Sequence, residues 1–200
     1  KKCGFIGTYG PIRSQDLPEY LGHNNQADER MRSVTFTLGE RLILTPVEMV
    51  LTWKIVLLIA PASFIISGVN PDIYSLEAVW SRGLIAIGAT MAALLAGTLV
   101  TPVLLPWIPG RQFWLKGALV GFLIGLGYQF QFMTEAQIVE QTAILLWITA
   151  ASSYLAMNFT GATPYTSLSG VEQEMRKGLP FQCIGAVLSI MLWLSAPFLL

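Results

Sequence analysis

Five long apolar stretches fill this chain from Leu42 to its last residue, and they constrain its fold more than any motif does. They cover residues 42–69, 83–107, 113–132, 138–159 and 179–200. A helix rising about 1.5 Å per residue needs about 20 residues to cross a hydrocarbon layer roughly 30 Å thick, and each stretch meets that length. A soluble domain of 200 residues has no interior that could hide five such helices. Composition agrees: 54% of the residues are apolar and 12% charged, against roughly 25% charged in an ordinary soluble domain. The expected fold class is an all-α membrane protein, a five-helix transmembrane bundle behind a short polar front end in a lipid bilayer.

The net charge is zero, so the distribution of charge carries the information. Lys1, Lys2, Arg13, Arg30, Arg32 and Arg41 precede the first stretch. Arg111 lies at the turn between the second and third, with Lys116 just inside the third, and Arg176 and Lys177 lie between the fourth and fifth. The two remaining loops hold Arg82 beside the acidic Asp72, Glu77, Glu135 and Glu140. Lys and Arg accumulate on the cytoplasmic side of membrane proteins. The expected topology is therefore multi-pass in the cytoplasmic (inner) membrane, with the N-terminus inside and the C-terminus outside. No nucleic-acid partner is expected.

The front end reads differently. Residues 1–9 suggest a short strand entering a turn at Gly10 and Pro11, and Asp16-Leu17-Pro18-Glu19 matches a helix start with an acidic N-cap. One strand and one short helix cannot bury a core. The expected organisation is a domain remnant over 1–35, the tail of a larger upstream α/β domain, and a transmembrane domain over 36–200. Cys3 and Cys183 are too distant in sequence to suggest a disulfide framework, and Cys3 falls on the reducing side.

Small residues recur every fourth position in the spans. Gly117, Gly121 and Gly125 share one face of the third, and Gly88-Ala92-Ala96 and Ala89-Ala93-Gly97 form two rows on the second. Such rows let helix backbones approach closely; a glycine-lined substrate path is the alternative. Pro61 is expected to kink the first span and to free a carbonyl for a neighbouring hydroxyl. Pro102, Pro106 and Pro109 mark the close of the second. Trp80, Trp107 and Trp114 are placed as interfacial anchors, and Trp53, Trp147 and Trp193 as packing residues.

Among polar residues Lys54 stands out, since it falls about 18 Å into the first span at about 1.5 Å per residue. A cation near the bilayer centre costs about 2.5–3.5 kcal/mol on insertion scales, so a partner and a protein- or water-facing position are expected. Lys54 either locks helices together or belongs to an ion or anion site. Glu48, six residues earlier, is about 120° around the helix and shares a face with Arg41 instead. The hydroxyl-rich segment 158–170 ends in a capping box, Ser169 with Glu172, that starts a short interfacial helix over 170–177. That segment serves as a capped connector or as a docking surface. With one histidine, His23, no His-based zinc site and no Ser-His-Asp set are expected. Cys183 reads as a small buried apolar residue. Cys3 and Cys183 are the two thiols that could ligate a soft metal.

Three blocks carry a resemblance: residues 9–21 (Tyr9-Gly10-Pro11-Ile12-Arg13-Ser14-Gln15-Asp16-Leu17-Pro18-Glu19-Tyr20-Leu21), residues 31–37 from Met31 to Thr37, and residues 40–48 from Glu40 to Glu48. They resemble the end of the corrinoid domain in the large subunit of the acetyl-CoA pathway's corrinoid iron–sulfur protein. The mercury-methylating corrinoid proteins follow a similar segment with about five spans, and residues 163–176 also look like their membrane domain. The resemblance implies methyl transfer from a cobalt corrinoid to Hg(II), giving methylmercury, with a ferredoxin-like iron–sulfur partner returning cobalt to its reduced state. The family's cobalt-facing cysteine sits in a motif resembling Asn-x-Trp-Cys-Ala-x-Gly-Lys, whose flanking residues surround neither Cys3 nor Cys183. The chain is thus expected to be the membrane portion of such an enzyme, without a catalytic residue of its own and inactive alone. A small transporter subunit and a purely structural anchor for a cytoplasmic domain are the alternatives.

Overall fold

The computed structural model describes residues 10–33, 37–162 and 168–199, apart from the side chains of Val47, Glu48, Ala162 and Leu168. The strand expected over residues 1–9, Cys3 and the Glu48 carboxylate lie outside that description. The chain divides into two units, Lys1–Thr37 and Leu38–Leu200.

In the first unit the described residues form helical turns. A 3-10 turn at Ser14–Asp16 leads into α1, Leu17–Gly22, with Pro18 in its first turn, and α2 follows at Glu29–Arg32. The helix start read from the sequence is present, but Asp16 already belongs to the preceding turn and its side chain makes no capping hydrogen bond. Asn24 and Asn25 take left-handed backbone conformations in the connecting turn, which their short polar side chains tolerate better than most. The Ile12 amide donates to the Met31 carbonyl at 3.1 Å, closing the segment on itself. Tyr20 and Met31 are its buried apolar residues.

The second unit is a bundle of helices, and five of them are long and apolar enough to cross a membrane: Met49–Ser67, Leu76–Leu104, Phe113–Phe132, Ile138–Gly161 and Ser169–Phe198. They are called spans one to five below. Span one is the later part of α3, Leu38–Ser67, which begins four residues before the apolar stretch because Gly39, Glu40 and Arg41 continue the helix. A two-residue hairpin, β1 Val69–Asn70 with β2 Ile73–Tyr74, joins it to span two, pairing Val69 with Tyr74 and Asn70 with Ile73. Gly68 is required at its base, since a Cβ there would come within 2.5 Å of the Tyr74 ring and 2.6 Å of Val79. Ser75 caps α4, Leu76–Leu95, by accepting from the Ala78 amide at 3.3 Å.

Pro102 lies in the last turn of span two, at its close as expected, and does not interrupt it: α4 passes through a π turn at Ala96–Val100 into α5, Thr101–Leu104. A proline lacks the amide that the fourth preceding carbonyl needs, and nearby hydroxyls take up neighbouring carbonyls: Thr101 Oγ1 donates to Ala96 O at 2.7 Å and Thr98 Oγ1 to Leu94 O at 2.8 Å. The short helix expected over 170–177 is likewise not separate. It is continuous with span five as α8, Leu168–Ser195, which runs through Gly178 and Pro180. Ser169 therefore lies inside this helix and not ahead of it.

The remaining helices are α6, Phe113–Phe132, and α7, Ile138–Asn158. Span four is central, with 56% of its apolar window buried, and span one is peripheral, with 6%. The glycine row of span three packs directly against span four. A Cβ on Gly121 would lie 2.7 Å from Ser152 Cβ and 2.9 Å from the Ile148 carbonyl, and Ser152 Oγ donates to the Gly117 carbonyl at 2.9 Å. On span two Ala89, Ala93, Ala96 and Gly97 are buried, while Ala92 is partly covered. Small-residue rows thus act as packing surfaces, in which close approach supplies dispersion where lipid offers no hydrophobic drive.

Both ends of the bundle are closed by charged groups. At one end the Arg41 guanidinium, 4% exposed, donates to the carbonyls of Pro102 (3.2 Å) and Val103 (2.7 Å) and lies over the Trp107 ring. Lys116 Nζ donates to the Leu105 carbonyl at 2.7 Å. Both cations thus meet the C-terminus of span two, where unpaired carbonyls gather. Glu174 does the converse for span three, accepting from the amides of Phe113 (2.8 and 3.0 Å) and Trp114 (3.2 Å). At the other end Arg82 pairs with Glu140 at 2.8 Å and donates to the carbonyls of Ser67 and Trp193, with its guanidinium over the Trp193 ring. Trp193 Nε1 donates to Ser67 Oγ at 3.0 Å, so spans one, two, four and five meet in one polar cluster.

Candidate functional site

Span one is tied to the bundle at its two ends and stands away from span five between them. A cavity of about 250 Å³ opens there, lined from span one by Thr52, Ile55, Val56 and Ile59, with further walls from spans two, four and five. A second cavity of about 210 Å³ continues toward Trp193 and shares Ile59 and Trp147 with the first. The lining is almost wholly apolar.

Few polar groups reach this space. Trp147 Nε1 donates to Thr90 Oγ1 at 3.0 Å, and Thr90 Oγ1 donates in turn to the Ala86 carbonyl at 2.9 Å. Gln182 is buried, and its Nε2 donates to Ser153 Oγ at 3.0 Å and lies 3.9 Å from Met157 Sδ. Ser153 Oγ spends its own proton on the Trp114 carbonyl at 2.9 Å. Among the described residues Gln182 Oε1 is buried without a hydrogen-bond partner, a state that costs about 1–3 kcal/mol for a neutral acceptor.

The residues singled out in the sequence fall around this cavity unevenly. Cys183 lines it but is exposed, which corrects the expectation of a buried packing residue: span five turns Gln182 inward and the next residue toward the outside. Lys54 is exposed, with no hydrogen bond or ion pair among the described residues. It lies on α3, and an exposed ammonium can extend along its own alkyl stem.

Tryptophan placement also changes. Trp80 and Trp107 are exposed as interfacial anchors should be, whereas Trp114 packs flat on Phe181 at 5.7 Å between ring centres. Trp147 and Trp193 pack as expected, but Trp53 is exposed. Pro61 remains within a continuous α3, where Ser63 Oγ donates to the Ile59 carbonyl at 2.8 Å. Gln182 was not anticipated, although a lone amide inside an apolar span is the kind of residue that marks a site.

No group of three or more His, Cys, Asp or Glu side chains that could hold a metal ion occurs among the described residues. A cobalt corrinoid does not fit either cavity, because a macrocycle far larger than one aromatic ring cannot enter about 250 Å³ of apolar space between packed helices. Compared with family models, with curated proteins and with solved structures, the chain gives no match.

Proposed function

We propose that this chain is the membrane domain of a corrinoid-dependent methyltransferase that transfers a methyl group to Hg(II), and that it seats the enzyme's catalytic domain on the bilayer. The observation that carries the reading is the resemblance of residues 9–21, 31–37 and 40–48 to the end of a corrinoid domain, directly ahead of five helices long enough to cross a membrane. In this reading residues 1–35 belong to an α/β corrinoid domain whose remainder lies upstream. The corrinoid would supply the methyl group there as a carbanion equivalent to the electrophilic Hg(II), and a ferredoxin-like partner would return electrons to the oxidised cobalt. Nothing in the bundle takes part in that step.

The contribution of the bundle is mechanical. Arg41, Lys116 and Glu174 cap helix ends at the face that carries Arg111, Arg176 and Lys177. The basic residues orient that face toward the cytoplasm in this reading, which places the front segment and its catalytic domain on the same side. The apolar cavity suits a lipid-soluble molecule better than an ion, which weighs against a transporter for a polar solute. Purification of the full-length gene product from membranes, coexpressed with the ferredoxin-like protein, tests the reading. Retained corrinoid absorption in the membrane-extracted protein is expected; a corrinoid-free protein made under corrinoid-replete conditions overturns it.

A further inference from the structure

We infer that span one docks on a transmembrane helix of a second protein, where Lys54 Nζ pairs with an Asp or Glu carboxylate held near the middle of the bilayer. The inference requires only that the bundle cross a membrane, and it stands apart from the methyl-transfer reading. Its first support is the position of Lys54 along α3. Polar contacts fix the two ends of that helix at opposite ends of the bundle. Arg41 donates to the Pro102 and Val103 carbonyls, and Ser67 is held by Arg82 and Trp193. Lys54 is thirteen residues from Arg41 and thirteen from Ser67, hence about 20 Å of helix from either closure. A lysine stem of five bonds, each about 1.5 Å long, reaches less than half that distance.

The second support is the direction of the side chain. Residues three and four apart share a helix face. Val50, Leu51, Leu57 and Leu58, the neighbours of Lys54 in that sense, are all exposed, as Lys54 is. Thr52, Val56 and Ile59 turn the other way, toward the cavity, which Lys54 does not line. The ammonium has no hydrogen bond or ion pair among the described residues. Charged side chains at such depth are costly and are found paired or facing water. Span one is also the least buried of the five, so the side that carries Lys54 is open to a partner helix.

The chemistry of the partner follows. A carboxylate offers both the opposite charge and acceptor oxygens. A second copy in the same orientation brings its own carboxylates only to the depths they occupy here. Glu77 and Glu140 lie in the first turns of their helices, Glu174 caps the start of α6, and Glu48 is six residues, about 9 Å, nearer the Arg41 end. A symmetric contact through this face sets Lys54 against Lys54. Lipid phosphates lie at the headgroups, away from the middle of the span. A span of another protein with a central Asp or Glu meets the requirement.

The full chain, labelled with a fluorescent donor at its N-terminus, is reconstituted in phosphatidylcholine vesicles with acceptor-labelled peptides. Each peptide is a helix of about 20 residues, mainly leucine and alanine. One carries Glu at its centre, where the depth is the same in either orientation; another carries Leu there, and a third carries Glu three residues from one end. Energy transfer against peptide-to-lipid ratio reads the association. The centred-Glu peptide is expected to associate about tenfold more strongly than the other two. Lys54→Met should bring it down to the level of the Leu peptide. Lys54→Glu should shift the preference to a peptide with a central Lys, and Lys54→Met keeps the test sharp if that variant does not insert. Equal association of the centred-Glu and Leu peptides with the unaltered chain overturns the inference, as does a Glu preference that survives Lys54→Met. Energy transfer between two labelled copies of the chain that is lost in Lys54→Met would assign the face to self-association and overturn it. Loss of the Glu preference on adding phosphatidylglycerol would give Lys54 to lipid phosphate and overturn it as well.

Discussion

Arg82 of span two and Glu140 of span four face each other Nε to Oε1 at 2.8 Å, with side chains 12% and 18% exposed. The same guanidinium holds the last turn of span one through the Ser67 carbonyl and reaches span five through Trp193. Four of the five spans are therefore registered against one another by a single side chain. Fifty-eight residues separate the pair, and in the sequence both look like ordinary loop-flanking charges.

Removing one member leaves the other half-buried and unpaired, which costs about 3–5 kcal/mol for a well-buried pair and less for a partly exposed one. Arg82→Met and Glu140→Met should each lower the thermal midpoint of the detergent-solubilised protein. The double variant should lose less than the two single losses added together, because no lone charge remains. Strict additivity in that cycle would show that the contact is incidental.

Gly121 and Gly127 lie on the same helix and predict opposite responses. A Cβ at Gly121 meets Ser152 and a backbone carbonyl of span four, whereas nothing lies within 4 Å of a Cβ at Gly127. Gly121→Val should separate spans three and four and reduce folded yield severely. Gly127→Ala should be neutral or stabilising by about 0.5–1 kcal/mol, the usual helical advantage of alanine over glycine. Folded yield by size-exclusion chromatography reads both.

Glu174 accepts from the first two amides of α6. Glu174→Ala leaves those donors unpaired at a cost of about 1–3 kcal/mol. Glu174→Gln keeps one acceptor oxygen and should recover part of the loss. Hydrogen exchange at the Phe113 and Trp114 amides is the direct readout, and unchanged protection in the alanine variant would remove the cap from the account of this turn.

Lys54 is exposed in span one, with no partner among the described residues. Lys54→Met should insert at normal abundance and leave the melting temperature within about 1 °C, as surface substitutions within about ±0.5 kcal/mol do. Loss of activity at normal abundance would instead assign Lys54 a functional site.

The spans were legible because apolar runs of sufficient length have one physical outcome, and the small-residue rows were legible because close helix contact excludes larger side chains. Facing was not legible. A span apolar all round gives no periodicity to tell lipid from neighbour, so Cys183 and Trp53 were placed inward and both are exposed. Helix ends misled for a related reason. Pro102 and Pro180 break isolated helices, but Thr98 and Thr101 supply alternative donors around the first, and packing carries α8 through the second. Gln182 gained its meaning from Ser153 and Trp114 on other helices, a relation that no linear spacing encodes.

Orientation follows from the basic end. Reporter fusions after Asn70, Gly110 and Thr134 should read outside, inside and outside, and a fusion after Leu199 should read outside. A cytoplasmic signal at Leu199 would contradict an odd number of crossings from an internal front segment.

The methyl transfer itself is tested most directly by its product. The full-length gene is expressed with its ferredoxin-like partner in a host that lacks the activity, Hg(II) is added, and methylmercury is measured. Methylmercury well above the empty-vector control is expected from the full-length protein and none from residues 1–200 alone. No product above control, with both proteins present in the membrane fraction and corrinoid bound, would contradict the assignment.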